Sequence, residues 1–206
     1  MRLILARHGQ TDWNKERRIQ GRTDLDLNET GRAQAEMLAQ ALKDETVHAI
    51  YSSPLTRARD TAEAIARFHG AQVTVLDGLQ EIDAGEVDGL TYLEMWEQHN
   101  EFLRQWIDDC SSIAPPGGCS LPELQDEVWG AIQHIVRKHN AGAGEPQTVV
   151  AVAHFFPIVI TVSKVLSIPL SECRRLRMDV ASITTLEFDT HITVLTSWND
   201  TCHLRR

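Results

Sequence analysis

Two apolar stretches of this sequence each end in a histidine: Leu3-Ile4-Leu5-Ala6 runs into Arg7-His8, and Val149-Val150-Ala151-Val152-Ala153 runs into His154. Each reads as a buried strand. In open α/β sheets ligands bind at the C-terminal ends of such strands, and a parallel sheet brings those ends together. Arg57 and Arg59 add a second signal. They fall in the first turn of the helix expected to open at Ser52-Ser53-Pro54, where each cation opposes the helix dipole by about 0.3–1 kcal/mol. A local rule broken without structural gain marks a candidate site, and an anion held between that N-terminus and an arginine would account for it. The chemistry in view is an anion site furnished with imidazoles.

The elements that must position these residues follow from apolar periodicity. Arg2–Ala6, Val47–Tyr51, Gln72–Leu76 and Thr148–Ala153 read as strands. Asn28 is placed to cap a helix running to about Lys43, with Ala33, Met37, Leu38, Ala41 and Leu42 as its apolar stripe. A second helix carries Leu55, Ala58, Ala62, Ile65 and Ala66 and stops at Gly70. From Thr91 to Asn140 the pattern predicts two helical segments and no strand, divided by Ala114-Pro115-Pro116-Gly117-Gly118 and closed by Gly142–Pro146. Ala181–Phe188 and Ile192–Ser197 read as a hairpin. The expected architecture is α/β, a mostly parallel central sheet flanked by helices, as one domain over 1–206 with a helical cap insertion at about 91–145.

Composition narrows the classes. The 206 residues are 42% hydrophobic, which fits a folded domain and excludes disorder, collagen and coiled coil. No run approaches the roughly 20 apolar residues a membrane span takes, and Arg2 and Arg7 bracket the N-terminal run, so no signal-peptide core is read there. The expectation is a soluble, cytoplasmic protein. The net charge of −9 disfavours nucleic acid and anionic membranes as partners. Residues 77–130 hold thirteen acidic side chains against one basic, Arg104, and most of the thirteen are expected to be solvated. Cys110, Cys119, Cys173 and Cys202 show no C-x-x-C or zinc spacing and are read as reduced thiols.

The segment Leu5-Ala6-Arg7-His8-Gly9-Gln10-Thr11-Asp12-Trp13-Asn14 resembles the R-H-G-x-T-x-W-N signature of the histidine phosphatase superfamily, in its phosphoglycerate-mutase-like branch. The resemblance continues through Gln20-Gly21-Arg22-Thr23-Asp24-Leu25-Asp26-Leu27, Asn28-Glu29-Thr30-Gly31, Ser52 to Ala62, Leu79 to Leu90, and Ala153-His154. It implies a metal-independent phosphomonoesterase, of the histidine acid phosphatase type, acting on a small phosphorylated metabolite. No cofactor is implied. His8 would be the nucleophile that becomes phosphohistidine, and Arg7, Arg57 and His154 would form the phosphate clamp. Asn14, Gln20, Gly21 and the Phe155 main chain match further phosphate or substrate contacts. Glu81 matches the general acid and base, with Asp83 as the alternative.

Two departures from the family pattern stand out. His154 is followed by Phe155-Phe156-Pro157 where Gly-Gly is common, which implies either ordinary core rings or an aromatic pocket wall. Cys119 stands where many relatives have Glu, and takes no role. His203, in the tail, could reach a substrate or bond within the core, and the core bond is the favoured expectation. A phosphoglycerate mutase shares every clamp residue and remains the alternative activity, with a non-catalytic phospho-ligand sensor behind it. A homodimer is left open.

Overall fold

The two histidine-ended runs form neighbouring parallel strands. β1 (Arg2–Arg7) and β4 (Thr148–Ala153) pair with Leu5 opposite Ala151 and Arg7 opposite Ala153, so His8 and His154 leave the sheet side by side. β2 (Val47–Ser52) flanks β4 and β3 (Val73–Val75) lies beyond it, both parallel. β5 (Ile183–Phe188) runs antiparallel against β1, and β6 (Thr193–Asp200) closes that edge as its hairpin partner. The sheet thus has six strands in the order β3-β2-β4-β1-β5-β6. This computed structural model describes residues 1–140 and 146–205, so the expected closing stretch 142–146 lies, apart from Pro146, outside the described residues.

Alternating side chains of the central strands feed two apolar layers, which is why their sequences are apolar throughout. Leu3, Leu5, Val149 and Ala151 face α6 (Leu121–His139) and α7 (Phe155–Val165). Ile4, Ala6, Val150 and Val152 face α2 (Glu29–Leu42) and α3 (Thr56–Ala66). A third, smaller core holds Ala84, Val87, Met95, Phe102 and Leu103. It lies beneath α4 (Tyr92–Gln98) and α5 (Asn100–Asp108). α1 (Asp12–Glu16) is one short turn capped by Thr11, which follows the first histidine.

The structure corrects three readings of the sequence. The buried face of α2 is Gly31, Ala35, Leu38, Ala39 and Leu42, while Ala33, Met37 and Ala41 are exposed. Gly31, Ala35 and Ala39 face inward because α3 and the loop after β1 approach α2 closely there. A Cβ at Gly31 would stand 2.0 Å from the Gln10 carbonyl oxygen. The first of the two cap segments is two helices, broken at His99, whose backbone leaves the helical region at φ −136° and ψ 43°. Arg59 is exposed and takes no part in the site.

These close approaches make a pair of glycine predictions. Gly31→Ala should lower the unfolding free energy by about 1–3 kcal/mol, as overpacking does. Gly130, inside α6 with nothing within 4 Å of an added Cβ, should instead gain about 0.5–1 kcal/mol as Ala. Urea midpoints of the two variants, compared at equal m-values, check both signs.

Candidate active site

His8 is held from every side. Its N–H donates to the Ala153 carbonyl at 3.1 Å, and its own carbonyl accepts from Ala181 N at 2.9 Å. The His203 ring in turn donates through Nε2 to the Ala181 carbonyl at 3.0 Å, so this tail histidine bonds within the fold, as favoured from the sequence. Gly9 lies flat on α2: a Cβ there would come within 2.4 Å of Gly31 O. A carbonyl oxygen only accepts, so the 2.7 Å contact between His8 Nδ1 and Gly9 O puts the ring proton on Nδ1. Nε2 is left with its lone pair.

His154 lies with its ring centre 5.0 Å from that of His8. Its Nε2 is 2.7 Å from Ser53 Oγ, and Leu55 N–H donates to the same oxygen at 3.3 Å. The Ser53 hydroxyl proton is then free to go to Nε2, which leaves the ring's one proton on Nδ1, a buried atom with no partner. Both rings are driven well below the usual imidazole pKa, first by burial and then by Arg57 and neighbouring charges. Both are neutral at pH 7. A neutral imidazole is what a phosphorus nucleophile has to be.

The cations are placed by main-chain carbonyls. Arg57 is fully buried and donates to Thr23 O at 2.8 Å and Gly21 O at 2.7 Å. Burial pulls its pKa down to about 10. Arg7, half-buried, donates to Met178 O at 2.7 Å and lies 5.6 Å from the centre of the Phe155 ring. The Nε atoms of both are buried without a partner, as is Gln20 Nε2. The Gln20 oxygen accepts from Thr11 Oγ1 at 2.9 Å and Asn14 Nδ2 at 3.1 Å, which fixes the amide's orientation. Asn14 also holds Thr11 N through its own oxygen, at 3.1 Å. Buried polar atoms are almost always paired, so these three nitrogens and His154 Nδ1, all on residues of this site, are its candidate ligand contacts.

The loop that presents these carbonyls is fastened by carboxylates that no short-range pattern indicates. Asp88 accepts from Gly21 N at 2.7 Å and from Thr23 N and Oγ1 at 3.1 and 2.7 Å. Asp24 accepts from Thr56 N at 2.7 Å and Thr56 Oγ1 at 2.8 Å. The anion expected at the N-terminus of α3 is therefore this aspartate, supplied from 32 residues upstream. Ser53 was equally invisible as the partner of His154.

Among the thirteen acidic residues of 77–130, Glu81 alone is buried. Its carboxylate accepts from Ile82 N at 2.9 Å and from Phe156 N at 3.3 Å. Burial raises its pKa against the opposing pull of Arg7 and Arg57. Asp83 is occupied elsewhere, accepting from Gly85 N at 3.0 Å to close a turn. Phe155 and Phe156 are half-buried at the start of α7, with Phe156 edge-on to Trp106 at 6.2 Å. Among the described residues no group of three or more His, Cys, Asp or Glu is placed to hold a metal ion. Neither is any helix long and apolar enough to cross a membrane. Two wide cavities of about 480 Å³ each lie away from the histidine pair, and no site residue lines them.

Comparison with known proteins agrees with this geometry. The family described as "Histidine phosphatase superfamily (branch 1)" matches residues 3–201. Phosphoserine phosphatase 1 of Hydrogenobacter thermophilus is 35% identical over 204 residues, covering 99% of this chain and 94% of the relative. A probable phosphoglycerate mutase, GpmB, of Salmonella choleraesuis is 30% identical, covering 96% of this chain and 90% of that one. The solved structure of a mycobacterial glucosyl-3-phosphoglycerate phosphatase with VO3 superposes with a TM-score of 0.88 at 31% identity, covering 97% and 99% of the two chains.

The buried neutral histidines set a pH dependence of stability. Below about pH 6.5 the unfolded chain takes up protons that His8 and His154 refuse, so stability is complete above 6.5 and is lost as pH falls. Each ring contributes at most about 1.4 kcal/mol per pH unit. Glu81 acts oppositely above pH 4.5, since its folded form holds the proton longer, but it is one group against two. Thermal unfolding between pH 7 and 5 should show the fall, and His8→Asn or His154→Asn should flatten it.

Proposed function

Because the chain belongs to branch 1 of the histidine phosphatase superfamily and is a phosphomonoesterase acting on small phosphorylated metabolites, we propose that His8 Nε2 is its nucleophile and Glu81 its acid and base. What carries this reading is the neutral His8 ring, locked by Gly9 O, beside four buried nitrogens that have no protein partner. Arg7, Arg57 and Gln20 hold the phosphoryl oxygens, with His154 Nδ1–H as a further donor. Asn14 serves by orienting Gln20, and Gly21 by offering its carbonyl to Arg57. The Phe155 main chain opens the helix that faces the phosphate. The segment at about 91–145 acts as the cap. Four free cysteines, two of them (Cys110 and Cys173) sharing a thiol hydrogen bond at 4.0 Å rather than a disulfide, suit a reducing cytoplasm.

In the proposed reaction the Nε2 lone pair attacks phosphorus and the bond to the alcohol oxygen breaks. The Glu81 carboxyl gives its proton to the departing alkoxide. The phosphate dianion is a like charge beside Glu81 and raises its pKa further, so binding prepares the acid. Water then enters where the alcohol stood. Glu81, now ionised, takes its proton, a new P–O bond forms, and the P–N bond breaks with its electrons returning to Nε2. The products are the alcohol and inorganic phosphate. Spreading charge on the phosphoryl oxygens is met by arginine and imidazole donors already in place.

His8→Ala should abolish phosphate release and acid-labile, base-stable labelling by a phosphate ester, while EDTA leaves the native rate unchanged. Labelling that persists in His8→Ala, or a Mg²⁺-restored rate, would overturn the mechanism. Formation of an isomeric phosphate ester without free phosphate would make the enzyme a mutase. The role of Glu81 has its own signature. In single turnovers Glu81→Gln should slow alkyl phosphates by about 10²–10⁴-fold, the usual contribution of a general acid. Nitrophenyl phosphate, whose leaving group needs no proton, should lose little. Equal losses on both would remove Glu81 from the acid role.

A further inference from the structure

Beside Glu81, under α4 and α5, lies a cavity of about 90 Å³ whose walls include Ile19, Ile82, Val87, Met95, Trp106 and Phe156. Two of these walls, Ile82 and Phe156, are the residues whose N–H groups hold the Glu81 carboxylate. A third, Ile19, precedes Gln20 and its unpartnered Nε2. The cavity is therefore bounded by the two residues that hold the Glu81 carboxylate, the group that protonates the leaving oxygen in the proposed reaction. Trp106 and Phe156 are edge-on to each other and both half-buried, so this wall is not sealed deep in the core.

The lining carries no charged side chain. Arg104, the sole basic residue of 77–130, is exposed and lies 5.5 Å from the Trp96 ring centre. Arg22 is spent on the Glu81 carbonyl at 3.2 Å and the Glu127 carboxylate at 3.0 Å. An ammonium or carboxylate entering here would be desolvated without a partner, at a cost of several kcal/mol. An apolar cavity of about 150 Å³ takes a benzene ring, and one water occupies about 30 Å³, so this one matches a group of about three or four carbons.

We propose that this cavity is the subsite for the alcohol part of the substrate, and that the substrate class is a phosphate monoester of an alcohol bearing a small uncharged hydrocarbon group. The proposal rests on the placement of Glu81 beside the leaving oxygen. It gives Phe156, Trp106 and Met95 a role in specificity that the phosphate clamp does not.

The test is kcat/KM for methyl, ethyl, propyl, isobutyl, pentyl and octyl phosphate with the native enzyme, beside O-phosphoserine and nitrophenyl phosphate. The alkoxides are of nearly equal basicity, so differences report binding of the chain. The value should rise about fourfold per added CH₂ as far as isobutyl. It should then level off, with O-phosphoserine at least about tenfold below propyl phosphate. Met95→Ala, which lengthens the cavity, should move the plateau out by one or two carbons, and Val87→Leu should move it in. A flat series, or O-phosphoserine preferred over propyl phosphate, overturns the subsite while nitrophenyl phosphate turnover leaves the phosphatase reading standing. A rising series whose plateau moves in neither variant places the chain elsewhere and also overturns it. Failure on every ester, nitrophenyl phosphate included, rejects the reading on which it rests.

Discussion

Arg57 is buried without an ion pair, and most of the surrounding structure serves that one charge. Its guanidinium is met by the carbonyls of Gly21 and Thr23, whose loop is tied down by Asp88 and joined to α3 by Asp24. Carbonyl dipoles soften the cost of burial without cancelling the charge, and the lowered pKa of Arg57 is the trace of what remains. Three carboxylates act on Arg57, namely Glu81, Asp24 and Asp88, and the buried one, Glu81, is itself held back from ionising by burial. Among the described residues neither Arg57 nor Arg7 is locked in an ion pair, so both guanidinium groups are left for an arriving dianion. The site is preorganised in the sense that matters for phosphoryl transfer, with its dipoles and charges fixed before the reacting group is present.

The sheet contributes placement rather than charge. Parallel pairing of β1 with β4 aligns the two histidines, and the residues leading into the antiparallel β5 complete the bracing, Ala181 N bonding the His8 carbonyl and the Ser182 carbonyl accepting from Arg7 N. Small residues do the rest. Gly9 and Gly31 let the loop after β1 lie against the start of α2, and Gly21 is packed so close to Ile82 O and Ala84 that no side chain fits.

What was legible in the sequence was whatever depends on local periodicity or on residue type. The strands, the α2 cap at Asn28, the hairpin, and the histidine and arginine positions all belong to that kind. The resemblance to a family ordered them. Less legible was anything set by long-range approach. The burial stripe of α2 turned toward Gly31 and Ala35 because the partner surface is close, and side-chain size alone favoured Met37. Asp24 and Asp88 look like members of an ordinary acidic set until the fold brings Thr56 and Gly21 to them. Arg59 has the same sequence warrant as Arg57 and the opposite fate, since the helix can turn only one of them inward.

The immobility of the His8 ring reaches the stereochemistry of the product. Its backbone is bonded on both sides, its Nδ1 is tied to Gly9 O, and Gly9 is pressed against α2, so the ring has no second position to adopt. In the proposed reaction phosphorus must then be approached and abandoned along a single line through Nε2. The alcohol leaves along that line, and water comes in along it afterwards. Each event turns the phosphoryl group inside out like an umbrella in wind, and two such events cancel. A thiophosphate ester made chiral with two oxygen isotopes, hydrolysed in water of the third, would leave this enzyme with the handedness it brought.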